Sequence, residues 1–336
     1  MNMKFVALRA GVSSATVSRV INGSPLVKPE TAEHVRRIIA GLNFIPNPLA
    51  TTLKYGRSRT YGLIIPDITN PFYPEFLRDF EEILVGMDHE VLLANVRSSP
   101  EALVHSIRRM LLRQVDGVVL MASEFDTKVV EPLLARKVPL VTIDRRRAGI
   151  GTSDVSIDFE DGFAQAVAHL FQLGHRRIAF VGGSEGLRTS RVRLEAFQQG
   201  LARSGLTLYP ELLHAGNYRV DGGEAAIHAL LQTSDPPTAV MTANDLTAFG
   251  VMRGLHRAGV TVPHSMSVVG ADDVLLSDIL QPPLTTIHVS RREMAAACVE
   301  ALEYTKEHLD GRGRHIRIGT LLLVRETTAR PRDRHL

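Results

Sequence analysis

The chain has 336 residues, of which 44% are hydrophobic, so it is long and apolar enough for two or three domains with sizeable cores. A single cysteine, Cys298, excludes an intrachain disulfide framework, and no apolar run approaches the length of a transmembrane helix. The N-terminal apolar stretch is too short for a signal peptide and is interrupted by Arg9, so we expect a cytoplasmic protein.

The net charge of +3 is unevenly distributed along the chain. Residues 1–60 contain nine Lys and Arg against two Glu, a balance of +7. The remaining residues contain 30 basic and 34 acidic side chains, a balance of −4. A small basic head on a mildly acidic body is typical of a polyanion-binding head, although a solvated basic domain has the same composition.

The pattern of the first 25 residues predicts two helices. An apolar-periodic run favours a first helix over about residues 3–10, which Gly11 ends, and the Ser13 hydroxyl is placed to cap a second helix. One face of the second helix is apolar, formed by Val12, Val17, Val20 and Ile21. The opposite face carries short side chains and one arginine, at Ser14, Ala15, Ser18, Arg19 and Asn22. Such a face suits a DNA major groove and predicts a helix-turn-helix, with an ordinary surface helix as the alternative.

A third helix should begin near Pro29 and end near Gly41, which completes a DNA-binding head over residues 1–46. Asn47 and Pro48 then form another helix start, followed by a face made of Leu49, Ala50 and Leu53. The residues alone favour a linker helix whose leucines pack on the body. Residues 54–59 have the composition of a flexible basic connector.

From residue 61 onward, short apolar runs alternate with amphipathic stretches. Seven runs predict strands, over residues 61–66, 89–95, 116–122, 139–144, 176–183, 237–243 and 266–272, and a last strand-like run covers 321–328. This alternation predicts an α/β fold with parallel sheets built from βαβ units, in two similar lobes with a cleft between them.

Polar and aromatic residues follow several of these strands, where ligands of parallel sheets bind. They are Asp67, Thr69, Asn70, Phe72, Tyr73, Asp144, Arg145, Arg191, Arg193, Asn244 and Asp272. Carboxylates, amides, guanidinium groups and an aromatic ring are the components of a polyol site. Taken singly, each could serve a loop or a helix cap, and Asn244 in particular could cap the helix after it.

Several segments resemble the lactose-repressor/galactose-repressor (LacI/GalR) family of bacterial transcription regulators. They are AGVSSATVSRVING (10–23), LNFIPNPLATTL (42–53), YGLIIPDITNPFY (61–73), LGHRRIAFVGG (173–183), TANDLTAFGVMRGLHRAG (242–259), SVVGADD (267–273) and PPLTTI (282–287). These segments cover nearly the whole chain in the order and spacing typical of the family.

For the head, the resemblance implies contacts with double-stranded operator DNA. The side chains implied to face base edges are Ser14, Ala15 and Arg19, and those implied to contact phosphates are Ser13, Thr16, Ser18, Asn22 and Thr31. The resemblance also reverses the interpretation of residues 47–60, which become a hinge helix and linker. Two such helices would pair in the minor groove through Asn47, Ala50, Leu53 and Lys54, with Leu53 wedged between base pairs.

For the body, residues 61–330, the resemblance implies two periplasmic-binding-protein-like lobes that dimerise and bind a small-molecule effector. Lobe 1 is expected over about 61–158 and 288–320 and lobe 2 over about 159–287 and 321–330, with a tail at 331–336 and crossings near 155–162, 284–290 and 318–322. The implied effector contacts are Phe72, Asp144, Arg193, Tyr218, Asn244 and Asp272. A sugar or sugar derivative is the expected effector and a purine corepressor is the runner-up. We expect no cofactor and no metal, because the 13 histidines are scattered.

Two other functions remain open. GGSEG (182–186) matches the G-x-S-x-G nucleophile elbow, so Ser184 with Asp245 or Asp272 and His288 would give the residue order of a serine esterase. A solute-binding protein for transport would have the same lobes, although the basic head argues against it. A glycine-rich turn before a helix explains GGSEG more simply. We therefore predict a regulator that is not an enzyme, a dimeric repressor of sugar-utilisation genes that binds a pseudopalindromic operator.

Overall fold

The computed structural model describes residues 2–21, 23–44, 58–97, 99–121, 125–145 and 148–332. The chain divides into two compact units, Met1–Ser58 and Arg59–Leu336, here called the head and the body. Five predicted DNA contacts lie outside the described residues, namely Asn22, Asn47, Ala50, Leu53 and Lys54. The predicted hinge helix is therefore not described.

The head contains three helices, α1 (Met3–Ala10), α2 (Ser14–Ile21) and α3 (Pro29–Gly41). The predicted end of α1 is confirmed, because Gly11 adopts a left-handed φ of 64°. The predicted start of α2 is also confirmed, because the Ser13 hydroxyl accepts a hydrogen bond from the Thr16 amide at 3.1 Å. The Asn2 side chain caps α1 by accepting from the Phe5 amide at 3.0 Å. Both caps satisfy amides that the helices leave unpaired.

A small apolar core joins the three helices of the head. Its buried members are Val6, Ala7, Ala10, Val17, Val20, Ala32, Val35 and Phe44, with Val12 and Ile21 partly buried beside them. The predicted apolar stripe of α2 is thus confirmed. The placement of Ser18 on the exposed face was wrong, since its residue is only 8% exposed. Val17 and Ser18 are both buried and Arg19 is exposed, so Ser18 lies at the boundary between the core and the exposed face of α2.

The body contains two six-stranded sheets. The first has the order β11-β5-β4-β3-β1-β2 and is parallel throughout. Its strands are β1 (Thr60–Ile65), β2 (Glu90–Asn95), β3 (Gly117–Leu120), β4 (Leu140–Ile143), β5 (Thr152–Ile157) and β11 (His315–Ile318). The helices of this half are α4 (Phe72–Gly86), α5 (Pro100–Leu112), α6 (Glu131–Ala135) and α12 (Arg291–Glu307), with a 3₁₀ turn over Thr127–Val129.

The second sheet has the order β12-β10-β9-β8-β6-β7 and is parallel except for β12, which pairs antiparallel with β10. Its strands are β6 (Ile178–Val181), β7 (Leu213–His214), β8 (Ala239–Thr242), β9 (Ser267–Asp272), β10 (Thr285–Val289) and β12 (Thr320–Leu323). The helices of this half are α7 (Phe159–Leu173), α8 (Arg188–Arg203), α9 (Val220–Leu231), α10 (Asp245–Arg257) and α11 (Leu276–Ile279), with a 3₁₀ turn over Pro210–Leu212.

The chain passes between the two sheets three times. It leaves the first sheet after β5 at Asp158, returns after β10 at Ser290, and crosses again at Gly319 between β11 and β12. The half that contains the first sheet is called lobe 1 below, and the half that contains the second is called lobe 2. Three connections at one edge leave the carboxyl ends of both parallel sheets free to face a shared cleft.

The seven predicted strands of the body are confirmed, but strands β5, β7, β10 and β11 were not predicted. The last predicted run was too long, because β12 ends at Leu323. Strand β5 was not predicted because its sequence is not apolar: it buries polar side chains that have specific hydrogen-bond partners. Its Ser153 hydroxyl bonds to Thr305 at 2.6 Å, and its Asp154 accepts from Thr142 at 2.6 Å.

Cys298 is fully buried on α12, and burial raises the pKa of its thiol, which agrees with a structural role. None of the helices in the described ranges combines the length and the apolarity that a membrane span requires.

Candidate functional site

A cavity of about 1240 Å³ lies between the two lobes of the body. Both sheets contribute to it through the segments that follow their strands, as the parallel topology predicts. All six residues implied as effector contacts line it, namely Phe72, Asp144, Arg193, Tyr218, Asn244 and Asp272. The structure therefore brings these six residues to one cavity, while their contact with an effector stays a prediction.

An ion pair between Arg193 and Asp272 is the most buried charged group of the cavity. Arg193 is 8% exposed and Asp272 is 4% exposed, and the guanidinium donates to the Asp272 carboxylate at 3.1 Å. The Arg193 guanidinium also lies 4.2 Å from the ring centre of Phe159, a cation–π contact. Its Nε is buried without a hydrogen-bond partner among the described residues. A buried donor without a partner is costly, so this nitrogen is suited to a ligand oxygen.

Burial raises the pKa of Asp272 to about 6, against the opposing effect of Arg193 and Arg291. The pKa of Arg193 is raised above its ordinary value, because Tyr218, Asp272 and Asp144 outweigh the lowering by burial. The arginine therefore stays charged, whereas Asp272 changes its charge close to neutral pH.

Tyr218 forms the aromatic wall beside this ion pair. Its hydroxyl accepts from Arg193 at 3.3 Å and from the Ser190 hydroxyl at 3.1 Å. The ring packs so tightly against Gly183 that a Cβ there would lie 2.1 Å from it. The glycine-rich turn thus makes room for Tyr218, which supports the simpler explanation of GGSEG.

Asn244 caps a helix, one of the two roles that the sequence left open, and it also has a structural bond that the sequence did not predict. Its Oδ1 accepts from the Thr247 amide at 3.1 Å, so it caps α10 as the alternative interpretation predicted. Its Nδ2 donates to the carbonyl of Tyr218 at 3.2 Å. Asn244 is 1% exposed, so its amide holds the cavity wall together and has little capacity left for a ligand.

Four of the lining residues have left-handed backbone conformations that non-glycine residues rarely adopt. The φ angles are 47° at Arg97, 58° at Asp144, 62° at Tyr218 and 114° at Asp272. Each costs of order 1–3 kcal/mol and persists only where the surroundings enforce it. Asp144 shows such enforcement, since its carboxylate accepts from the Ile157 amide at 2.7 Å. The concentration of these conformations around one cavity is typical of a binding site.

Arg291 holds the backbone at Asp272 in place, and the sequence analysis did not predict this role. Its guanidinium donates to the backbone carbonyls of Asp272 and Asp273, both at 2.8 Å. It also pairs with Glu75 of α4 at 3.2 Å, so this lobe 1 arginine joins its own lobe to the end of β9 in lobe 2. Its position two residues after β10 was not flagged because β10 itself was not predicted.

The sequence reasoning also missed the part of the cavity that follows β2 and β3. It is lined by Asn95, Arg97, Ser99, Leu103, Phe125 and Asp126. The rule that located Asp144 and Asp272 applies equally here, because Asn95 ends the predicted strand 89–95 and Asp126 follows the predicted strand 116–122.

The geometry does not assemble the triad of the esterase alternative. His288 bonds through Nδ1 to Asp273 at 2.7 Å and is absent from the described lining of the cavity. Asp245 accepts instead from the Ser277 hydroxyl at 2.6 Å and the Val274 amide at 2.9 Å. Ser184 lines the cavity but has no hydrogen bond to His288 within the described part of the chain.

On the head, α2 presents Ser14, Ala15 and Arg19 to solvent, together with Ser13 before it. Thr16 and Thr31 are partly exposed. The exposed side chains are short apart from Arg19, which leaves one long donor on the surface predicted to face DNA. Across the described residues, no group of three or more His, Cys, Asp and Glu is arranged to hold a metal ion.

A helix-turn-helix head and a two-lobed body with a polar cavity define a class, the DNA-binding regulators that respond to small molecules. Comparison with known proteins narrows it. Residues 2–47 match the bacterial regulatory proteins of the lacI family, and residues 167–328 match the periplasmic binding protein-like domain. The chain belongs to the LacI family of bacterial transcription regulators.

Two similar proteins align with nearly the whole chain. Catabolite control protein A of Priestia megaterium is 34% identical over 88% of this chain and 90% of its own length. The transcriptional repressor PurR of Haemophilus influenzae is 31% identical over 92% of both chains.

Among solved structures, the Lac repressor dimer bound to operator and the anti-inducer ONPF has a TM-score of 0.84 and 28% identity, covering 96% of this chain and 98% of its own. The complex of the regulator CelR with cellobiose has a TM-score of 0.71 and 31% identity, covering 97% and 99%.

Proposed function

We propose that the chain is a cytoplasmic transcription repressor of sugar-utilisation genes whose effector is a sugar or sugar derivative bound between the lobes. The observation that carries the proposal is the buried Arg193–Asp272 pair next to Tyr218 in the cavity. A guanidinium that bridges hydroxyl oxygens, a carboxylate that accepts from hydroxyls and an aromatic ring that covers an apolar ring face together recognise a polyol.

We propose that the head binds operator DNA as the family resemblance implies. Ser14, Ala15 and Arg19 would face base edges, and Arg19 would carry most of the discrimination because the other two side chains are short. Ser13, Thr16 and Thr31 would contact phosphates. The same prediction for Ser18 has less support, because Ser18 is only 8% exposed. Asn22 and the hinge contacts of residues 47–54 remain predictions on the sequence.

A homodimer is part of the proposal, because a pseudopalindromic operator mirrors two-fold protein symmetry. The apolar side chains around α11 support it. Leu275 is 65% exposed and Ile279 is 61% exposed, and both belong to one short segment of lobe 2 with Leu276 and Leu280 at 37%. A contiguous exposed apolar patch of this kind is typical of an interface.

The effector would act through differential affinity for two arrangements of the lobes. Both lobes line the cavity, and Arg219 of lobe 2 pairs with Asp67 of lobe 1 at 3.2 Å beside it. A ligand that contacts both lobes binds better to the arrangement that brings its contacts together, and only that difference can shift the DNA-binding population.

A thermal-shift screen tests the proposal on the purified full chain, against sugars, sugar acids, sugar phosphates and purines. A ligand at about 100 times its Kd adds ~2.7 kcal/mol of apparent stability. We expect a sugar to stabilise the protein, to lose this effect in Arg193→Ala, and to change binding to DNA selected from a random pool. Stabilisation by a purine and by no sugar would identify the purine-dependent repressor instead.

A further inference from the structure

The cavity extends well beyond the Arg193–Asp272 pair. One group of its lining residues belongs to lobe 1 near the ends of β2 and β3 and is here called the far end: Asn95, Arg97, Ser99, Leu103, Phe125 and Asp126. These residues follow β2 and β3 or begin α5. The volume of about 1240 Å³ exceeds the roughly 300–1000 Å³ of ordinary small-molecule sites. A single sugar ring at Arg193 would therefore leave the far end unfilled by ligand.

The register of the sheet gives the length of the lobe 1 wall. Ile65 pairs with Asn95, Ile64 pairs with Leu120, and Leu120 pairs with Thr142. Continuing the pairing by one residue, to Met121 after β3, places Asn95 and Ile143 on one row, three strand spacings apart. This distance is about 14 Å, since neighbouring strands lie about 4.8 Å apart. Asp144 comes directly after Ile143, so the wall from Asp144 to Asn95 is longer than one sugar ring and suits two linked rings.

The far end also has the groups that a sugar ring requires. The Oδ1 of Asn95 is buried without a hydrogen-bond partner among the described residues, which leaves an acceptor for a hydroxyl. Phe125 provides an aromatic ring. A cation–π contact holds its orientation, because the Arg145 guanidinium, which does not line the cavity, lies 4.1 Å from the ring centre. Leu103, which is 3% exposed, adds apolar surface.

The charges at the far end oppose one another. Arg97 and Asp126 are the charged members of this group, one of each sign. At the other end, Arg193 is balanced by Asp272, and Asp144 adds a further carboxylate. A phosphorylated or acidic sugar would find no surplus of positive charge, because the described lining contains four arginines and five aspartates.

We infer that the far end is a second sugar subsite, so that the effector is an uncharged disaccharide whose second ring lies against Asn95 and Phe125. This inference rests on the proposed function, since it assumes a saccharide at Arg193 and Asp272. It assigns Asn95 and Phe125 as the residues that determine effector length.

Isothermal titration calorimetry on the full-length protein tests the inference with matched sugars. The pairs are glucose with cellobiose, maltose, trehalose and gentiobiose, galactose with lactose and melibiose, and xylose with xylobiose. We expect at least one disaccharide to bind about tenfold or more tightly than its own monosaccharide. Its phosphorylated counterpart, such as trehalose 6-phosphate for trehalose, should bind more weakly.

Two variants localise the second ring. Asn95→Ala and Phe125→Leu should each weaken disaccharide binding about tenfold while leaving the monosaccharide affinity within about twofold. Gln199→Ala on the exposed side of α8 is the matched control and should change neither. Circular dichroism and thermal melts verify that the variants fold.

The outcomes separate the two proposals. A monosaccharide that binds as tightly as every disaccharide, with no effect of Asn95→Ala or Phe125→Leu, would overturn the second subsite and leave the sugar effector intact. A phosphorylated sugar that binds more tightly than its neutral parent would overturn the uncharged class. Failure of all sugars to bind, with a purine binding instead, would overturn the sugar effector itself.

Discussion

Asp272 combines burial, an ion pair and a left-handed backbone, and its carboxyl has a pKa of about 6. The charged form is the one that pairs with Arg193 and accepts from hydroxyls on a ligand. Above pH 6 the carboxylate dominates, and one unit below the pKa only about one-tenth of the molecules retain it. The pH therefore controls how much of the protein has the acceptor in place.

We predict that effector affinity falls about tenfold between pH 7 and pH 5, measured by calorimetry with the sugar found in the screen. The sign follows from the raised pKa, since protonation begins near pH 6 and removes the acceptor as the pH falls. Asp272→Asn should bind weakly at both pH values and abolish the dependence. An unchanged affinity at pH 5 in the wild-type protein would refute a role for the carboxylate.

On the head, Arg19 is the long donor on the exposed face of α2. We predict that Arg19→Ala weakens binding to the selected operator by ~1–3 kcal/mol, and weakens binding to random DNA much less. Arg9→Ala removes the same charge from α1 and should reduce both affinities equally. Equal losses for Arg19→Ala on both DNAs, measured by fluorescence anisotropy, would mean that Arg19 contacts phosphates only.

Single positions also mark the limits of prediction from sequence. Asp144 and Asp272 could be placed at the cleft because residues at the carboxyl ends of parallel strands lie at the edge of the sheet where ligands bind. The second role of Asn244 could not be predicted, because its bond to the Tyr218 carbonyl joins two distant loops. Ser18 was misplaced because helical periodicity assigns a face but not the depth at which the face meets the core.

At the scale of elements, α9 and α10 pack at glycine contacts. A Cβ on Gly223 would lie 2.1 Å from the Thr247 carbonyl oxygen, and one on Gly250 would lie 2.0 Å from that of Val220. Both obstacles are backbone atoms, so the helices would have to separate. Because α10 begins beside Asn244, this packing also holds one wall of the cavity.

We predict that Gly250→Ala destabilises the body by ~1–3 kcal/mol, as overpacking does, and lowers Tm in differential scanning calorimetry. Gly86→Ala at the end of α4 is the matched control, because its Cβ would meet nothing within 4 Å. It should be neutral or stabilising by up to ~1 kcal/mol. Equal Tm values for the two variants would contradict tight packing of α9 against α10.

The elements that sequence reasoning found and missed differ in one physical property. Runs such as GVVL of β3 are apolar throughout, so burial on both faces of a parallel sheet is visible in the sequence. Strand β10 starts with Thr285 and Thr286, which are fully buried. The Thr286 hydroxyl donates to Asp245 at 2.5 Å, a partner 41 positions away. Hydrophobic periodicity does not report such pairs, so polar strands in a core remain hidden.

At the scale of the whole molecule, the proposed effector site and the proposed dimer surface share a short path in lobe 2. Asp272 ends β9, and the exposed segment around α11 begins three residues later at Leu275. The Leu275 amide donates to Glu75 of lobe 1 at 3.0 Å, and Glu75 also pairs with Arg291. A change of lobe arrangement on ligand binding would therefore act on the residues that flank the apolar segment.

We predict that the double variant Leu275→Asp and Ile279→Asp dissociates the dimer. In a two-fold interface each side chain counts twice, so four buried apolar groups are lost, or about 6 kcal/mol at ~1.5 kcal/mol each. This loss should weaken dimerisation by roughly a thousandfold or more in sedimentation equilibrium. Both residues are more than half exposed in the single chain, so the fold should tolerate the change.

Operator binding gives the matching functional readout. The double variant should bind a single half-site about as well as the wild-type head does and lose the extra affinity for the complete operator, because only a dimer engages both halves at once. Leu208→Asp is the control, as Leu208 is 37% exposed and lies outside the α11 segment. A double variant that remains dimeric and binds the complete operator normally would show that another surface joins the subunits.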